Sequence, residues 1–126
     1  MKRLTIALVL LLSVLGMTVF HSCYLSRLTD DFSRQLTQAA THADREQWSQ
    51  ALELTEQTLA AWERHDFYLH VLLRHTDIDA IRQTFHEVVE YLKLEEPDQY
   101  TAANARLITQ IELLAEAEQL DLKNVL

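Results

Sequence analysis

The sequence predicts an all-α protein, in which an N-terminal transmembrane helix precedes a small extracytoplasmic bundle of about four helices. Its 126 residues include one glycine and one proline, which leaves little material for the tight turns of β-rich folds. Leu, Ala, Gln and Glu, which favour helix, are abundant. Apolar residues also recur at intervals of three and four. The same lack of glycine excludes the glycine-rich phosphate loops of nucleotide-binding enzymes.

The first element is an apolar run that follows Lys2 and Arg3. Residues 4–20 (LTIALVLLLSVLGMTVF) contain no charged side chain, and the run without acidic or basic residues continues through residue 25. A helix of this length reaches the roughly 20 residues needed to cross a hydrocarbon core of about 30 Å. We therefore expect residues 1–25 to be a signal anchor in the cell membrane. Because the positive charges precede the run, the positive-inside bias predicts a cytoplasmic N-terminus and an extracytoplasmic domain over residues 26–126.

Two other fates of this segment stay open. A cleaved signal peptide normally has an apolar region of about 7–15 residues and an A-x-A pattern, and this run is longer and lacks the pattern. A lipoprotein acylated at Cys23, which follows the small Ser22, is the second alternative, although Phe20 and His21 fit poorly at the preceding positions. Since Cys23 is the only cysteine, the outer domain contains no internal disulfide.

The charge of the outer domain bears on its partners. All 19 acidic residues and all but two of the 11 basic residues follow residue 25, which gives this part a net charge of −10 against −8 for the whole chain. Nucleic-acid binding starts from a basic patch, so we expect no nucleic-acid partner. Anionic lipid headgroups are disfavoured for the same reason, and the anchor itself has to hold the domain at the membrane.

Two helices are predicted in the first half of the outer domain. The first continues directly from the span and has an apolar stripe with steps of three and four: Leu25, Leu28, Phe32, Leu36 and Ala39. Asp44 and Gln47 have the spacing of a capping box and predict the start of the second helix. Its stripe consists of Trp48, Ala51 or Leu52, Thr55, Leu59 and Trp62. We expect both tryptophans to be structural.

The second half is predicted to contain two more helices. Residues 64–75 (RHDFYLHVLLRH) are too densely apolar for a one-sided helix and suggest a buried continuation. Thr76 is a candidate N-cap for a helix whose heptad-like seam is Ile78, Ile81, Phe85, Val88 and Leu92. Pro97 suits the first turn of the last helix, which we expect to end near Glu118 before a tail that folds back. The apolar stripe of this helix consists of Tyr100, Ala103, Leu107, Ile111 and Leu114.

Histidines supply the only candidate metal or ligand site. His65, His70 and His75 recur every five residues, and a step of five on a helix rotates the side chain by roughly 140°, so the three cannot converge on one ion without a break. His86 forms an i,i+4 pair with Glu90 and could hold an ion weakly together with Glu87. A structural zinc site needs four ligands, so we expect no metal and no cofactor. A ligand- or metal-binding domain using His65, His70, His75 or His86 is retained as the alternative function.

No group of residues indicates catalysis. Paired carboxylates occur at three places, and each place is a predicted helix start or a loop, where the helix dipole alone favours acidic residues. A nucleophile elbow needs flanking glycines that this chain lacks. We therefore predict that the protein is not an enzyme. The paired carboxylates are Asp30 with Asp31, Asp77 with Asp79, and Glu95 with Glu96.

Two apolar segments are candidate contact surfaces. Seven aromatic side chains are expected to lie mainly in the core: Trp48, Trp62, Phe67, Tyr68, Phe85, Tyr91 and Tyr100. Residues 67–73 and the seam of residues 78–92 hold more apolar surface than a small bundle can easily cover. Either one is therefore predicted to contact a partner, unless the first and last outer helices cover both.

Several short motifs together resemble a known family. They are MKRL at the start, the W-x-x-A-L of residues 48–52, Trp62, HTDID at residues 75–79, and LDLKNVL at residues 120–126. The pattern is similar to bacterial proteins of the domain-of-unknown-function series, number four-three-six-three, which are frequent in spore-forming Firmicutes. This resemblance implies a single-pass helical membrane protein and supplies no catalytic residue. It suits a non-enzymatic accessory or scaffolding subunit that contacts an integral membrane protein, or a second copy of itself.

Overall fold

The computed structural model describes residues 1–65 and 75–125, and it is helical almost throughout. Four helices form: α1 (Lys2–Asp44), α2 (Trp48–Arg64), α3 (His75–Lys93) and α4 (Pro97–Val125). No strand occurs in these two ranges. The prediction of an all-α fold is confirmed. The predicted continuation over residues 66–74 lies outside the described part of the chain.

Helix α1 is one uninterrupted helix of 43 residues. At a rise of about 1.5 Å per residue it is roughly 65 Å long, far longer than an average globular helix. Side chains of its N-terminal half, such as Leu8 and Phe20, are exposed. From Leu25 onward one face is buried, and it carries the predicted stripe of Phe32, Leu36 and Ala39. The predicted continuity between the apolar run and the first outer helix is therefore confirmed.

The C-terminal half of α1 and the other three helices pack in a ring. Helix α1 contacts α2 and α4, and α3 contacts the same two helices from the opposite side. Connections of three residues make α1 antiparallel to α2 and α3 antiparallel to α4. Three polar contacts fix the register: Thr58 Oγ1 with Gln35 Oε1 at 2.8 Å, Asn104 Nδ2 with the Leu36 carbonyl at 3.2 Å, and the Arg106–Glu87 ion pair. The outer part is thus a bundle of four helices in which α1 supplies one wall.

The core contains the apolar face of every helix. In α3 the whole predicted seam, Ile78, Ile81, Phe85, Val88 and Leu92, is at most 1% exposed. The heptad-like pattern is therefore correct as a packing signal. The prediction that this seam is available to a partner is wrong, because α2 and α4 already cover it within the same chain.

Aromatic rings join three of the helices across the core. The Trp62 indole is fully buried, with ring centroids 5.5 Å from Phe32 and 6.0 Å from Phe85. The half-buried Trp48 meets Tyr100 edge-on, with 6.5 Å between centroids. The predicted structural role of both tryptophans agrees with these positions. Phe67 and Tyr68, which were assigned to the same cluster, lie outside the described residues.

Three of the predicted helix boundaries are wrong. Asp44 is the last residue of α1 and not an N-cap, and the N-cap of α2 is Gln47, whose side chain makes no capping hydrogen bond. Helix α4 does not end near Glu118, because its backbone stays helical to Val125. The proposed N-cap Thr76 lies inside α3, which already includes His75.

The turns are built without glycine. Glu46, between α1 and α2, has φ 60°, and Glu95, between α3 and α4, has φ 54°. Both are left-handed conformations in which glycine is the usual residue. At the first turn the Gln47 amide donates to the His42 carbonyl at 2.9 Å, and the His42 Nδ1 lies 2.8 Å from Gln47 Oε1. Local hydrogen bonding thus stabilises a turn that the composition makes unfavourable.

Candidate functional site

The N-terminal half of α1 is a long apolar surface that the described part of the bundle leaves uncovered. An 18-residue window in this helix has a mean hydropathy of 2.3, and none of that window is buried against the rest of the protein. Within residues 1–65 and 75–125, α1 is the one helix long and apolar enough to cross a membrane. A signal sequence has the same properties. The predicted transmembrane helix is therefore a candidate span.

The bundle begins directly where this apolar surface ends, at a place that we call the base. Leu25 is only 2% exposed, whereas the neighbouring Cys23 and Tyr24 are exposed. At the C-terminal end of α2, His65 Nδ1 lies 3.3 Å from the Tyr24 hydroxyl, and the two rings meet edge-on at 6.3 Å. Helix α2 therefore contacts α1 within one turn of the end of the apolar run.

A groove between α3 and α4 opens near the base. Its volume is about 330 Å³, and its lining is mostly apolar. Leu113 on α4 is 56% exposed and forms part of the wall, while Ile81 and Leu114 form the buried floor. The remaining lining residues are Asp77, Ala80, Gln110 and Ala117. Such a surface can bind apolar groups, and none of its described lining residues is a histidine.

The four histidines of the alternative site are only partly described. His65 contacts Tyr24, and His86 lies on the exposed face of α3. Glu87, a candidate ligand beside His86, is paired instead with Arg106. His70 lies outside the described residues, as does the side chain of His75. Across the part of the chain that the structure describes, no three His, Cys, Asp or Glu side chains come close enough to hold a metal ion.

The acidic pairs have structural surroundings. Asp30 and Asp31 lie inside α1, so the prediction that this pair marks a helix start or a loop is wrong, and Asp31 forms an ion pair with Arg34 one turn along the helix. Glu95 occupies the left-handed turn before α4. Asp77 lies at the exposed start of α3 and lines the groove. Burial, and secondarily the Asp44 carboxylate, raise the pKa of the Tyr100 hydroxyl to about 12. Burial and a nearby negative charge both keep this hydroxyl neutral.

Sequence reasoning missed the groove and the Tyr24–His65 contact. Leu113 lies one position off the predicted stripe of Leu107, Ile111 and Leu114, so the stripe pattern assigned it to no surface. The adjacent pair Leu113–Leu114 was the available signal, because successive residues on a helix point about 100° apart and a narrow apolar stripe covers only one of them. No pattern in the sequence pairs Tyr24 of α1 with His65 at the end of α2.

Comparisons with known proteins identify a family and little else. No curated protein matches the chain, and no solved structure matches it. A family described as a domain of unknown function (DUF4363) matches residues 19–125. The match covers the whole bundle and begins in the last turns of the apolar run, so it includes the HTDID segment and most of the C-terminal tail but not the MKRL start. Because the match extends over most of the chain, the protein belongs to the family named domain of unknown function (DUF4363).

Proposed function

We propose that the protein is a membrane-anchored, non-enzymatic accessory or scaffolding subunit that acts by protein contact on the outer face of the cell membrane. The observation that supports this proposal is the single helix α1, whose exposed apolar half continues without a break into a wall of the bundle. A soluble protein would leave this apolar half in water, which is unfavourable at about 25 cal/mol per Å² of apolar surface.

The charge distribution supports the outer location. Lys2 and Arg3 precede the apolar run, and every acidic residue follows it. Basic residues flanking a span are retained in the cytoplasm, so the bundle is exported. An exported domain without a disulfide has to be stabilised by its core alone. Cys23 is free and exposed, outside that core.

Partner binding is the activity that the sequence chemistry favours. No nucleophile elbow or phosphate-binding loop occurs in the sequence. The uncovered face of the span includes Leu11, which is 64% exposed. A transmembrane helix of an integral membrane protein, or the span of a second copy, would pack against this face.

Intact mass and topology test the anchor. Mass spectrometry of the protein extracted from membranes is expected to give the full-length chain, and protease added outside the cell is expected to remove the bundle. A mature N-terminus at or after Ser22 contradicts the anchor. An added mass of acyl chains on an N-terminal Cys23 would establish the lipoprotein alternative instead.

Crosslinking in native membranes tests the partner. A photoreactive residue at Leu11 is expected to capture a second membrane protein or a second copy of the chain. The matched control is Val89, an apolar side chain that is buried inside the bundle and should reach only the protein's own helices. If Leu11 captures only lipid at the same yield at which Val89 captures its own chain, the accessory role loses its support.

A further inference from the structure

We propose that the base of the bundle is itself a lipid-contacting surface, seated in the headgroup layer of the outer leaflet with Leu113 at the level of the headgroups. This inference rests on the proposed membrane anchor and adds a second contact with the membrane, made by the folded domain. Its occupant is the zwitterionic phospholipid surface that surrounds the span.

The helix register gives the height of Leu113. Asn104 on α4 donates to the Leu36 carbonyl on α1, and Tyr100, earlier on α4, lies near Asp44, later on α1, so the two helices are antiparallel. Leu113 follows Asn104 by nine residues, so it lies level with Arg27, nine residues before Leu36. Twenty residues counted from Leu4 cross the hydrocarbon core and end at Cys23, which puts Leu113 about 6 Å above the core. The interfacial layer on each side is roughly 5–7 Å thick, so Leu113 falls within it.

The alignment of α3 with α4 gives the height of the groove at the base of the bundle. The Arg106–Glu87 pair aligns α4 with α3, and counting ten or eleven residues toward the base from each partner reaches Asp77 on α3 and Ala117 on α4. Both line the same groove, as this alignment requires. By the α1 register Ala117 is level with Cys23. The groove therefore opens at the height of the outer lipid boundary.

Helix α4 extends further still. Its backbone remains helical for eight residues beyond Ala117, to Val125. The groove therefore lies within α4 and not at its end, and no spacer separates the bundle from the level of Cys23 on α1.

The exposed groups at the base suit an interface. Leu113 is a large apolar side chain left 56% exposed on a small bundle. Tyr24, on the turn that leaves the span, is the kind of residue that concentrates where the membrane meets water. Because residues 26–126 carry a net charge of −10, anionic headgroups would repel this surface, and neutral phosphatidylcholine is the lipid class that fits.

The matched residue for a test is Leu94, which is 57% exposed but lies just after α3 at the far end of the bundle. The same register puts it roughly 27 Å above the hydrocarbon core. Gly16 serves as a marker of the span, since a side chain added there meets no atom within 4 Å. The three positions therefore sample the core of the bilayer, the proposed contact and the aqueous phase.

The experiment uses the full chain with Cys23→Ser and a single new cysteine, Gly16→Cys, Leu113→Cys or Leu94→Cys, labelled with an environment-sensitive fluorophore. One copy is placed in each phosphatidylcholine nanodisc, so that a second copy cannot cover the groove. Nitroxide is carried either on the lipid headgroup or on the acyl chain. We expect headgroup nitroxide to quench the Leu113 label several-fold more than the Leu94 label, and acyl-chain nitroxide to quench the Gly16 label.

The outcomes separate the two proposals. If the Gly16 label is quenched but the Leu113 label behaves like the Leu94 label, the anchor stands and the lipid-contacting base is overturned. A blue-shifted Leu113 emission without quenching would show that the protein's own chain covers the groove, and it also overturns the inference. If the Gly16 label is not quenched, the anchor and this inference both fail.

Discussion

Replacing Trp62 tests whether the bundle depends on one buried ring that joins three helices. The indole is 0% exposed and lies between Phe32 of α1 and Phe85 of α3. Truncating a buried aromatic side chain to alanine costs about 3–5 kcal/mol, because transfer energy is lost and a cavity remains. A small domain has only about 5–15 kcal/mol of net stability, so Trp62→Ala should leave the bundle partly unfolded at 37 °C.

The Trp62→Phe variant separates packing from hydrogen bonding. The indole Nε1 is buried and has no hydrogen-bond partner among the described residues. Phenylalanine keeps a ring between Phe32 and Phe85 and removes a polar group that burial penalises. We therefore expect Trp62→Phe to cost about 1 kcal/mol or less, well below the cost of the alanine variant.

The assay is urea unfolding of the full chain in a mild detergent, followed by far-ultraviolet circular dichroism because the substitutions remove a fluorophore. Trp48→Ala is the control: this ring is only half buried and lies edge-on to Tyr100 at the side of the core, so its loss should cost clearly less. Equal stability of Trp62→Ala and the parent would refute the reasoning. A Trp62→Phe variant as unstable as Trp62→Ala would show that the indole N–H is bonded in solution.

Further predictions concern polar groups. Asn104→Ala removes the buried hydrogen bond to the Leu36 carbonyl and should lower the free energy of unfolding in urea by about 1–2 kcal/mol, whereas no change would contradict the α1–α4 register. Since the pKa of Tyr100 rises to about 12 from an unfolded value near 10, the folded state keeps a proton that the unfolded state loses, and stability should fall between pH 10 and 12. Tyr100→Phe should reduce this fall in base-denaturation curves, and an unchanged curve would place the hydroxyl in water. Cys23→Ser should leave membrane association unchanged in carbonate extraction, and release of the variant would indicate an acyl anchor.

Helical periodicity was the basis for predicting the helices and their buried faces from the sequence. Leu25, Phe32 and Leu36 recur at helical intervals, and all three are buried on one face of α1. The same spacing located the faces of α2, α3 and α4. Periodicity reports which face a helix buries but not which helix covers it. Periodicity therefore predicts the apolar seam of α3 but does not show that α2 and α4 cover it.

Helix ends were less predictable because they depend on single residues that several motifs share. Asp44 and Gln47 match a capping box, yet Asp44 is the last residue of α1 and the turn follows it, with Glu46 at φ 60°. A glycine would have marked this turn, and the sequence supplies none outside the apolar run. The groove was unpredictable for another reason: its walls come from two helices, and only their relative register brings Leu113 level with the start of α3.

The unbroken course of α1 has a mechanical consequence. In the proposed membrane arrangement the helix has no hinge at the lipid surface, because neither glycine nor proline occurs between Met17 and Asp44. The part of α1 above Cys23 is a lever arm of about 31 Å. A 20° tilt of the span, of the size that helices adopt to match bilayer thickness, would sweep the far turn at Asp44 sideways by roughly 11 Å. Local bilayer thickness would thereby set where the distal turns of the bundle stand relative to neighbouring proteins.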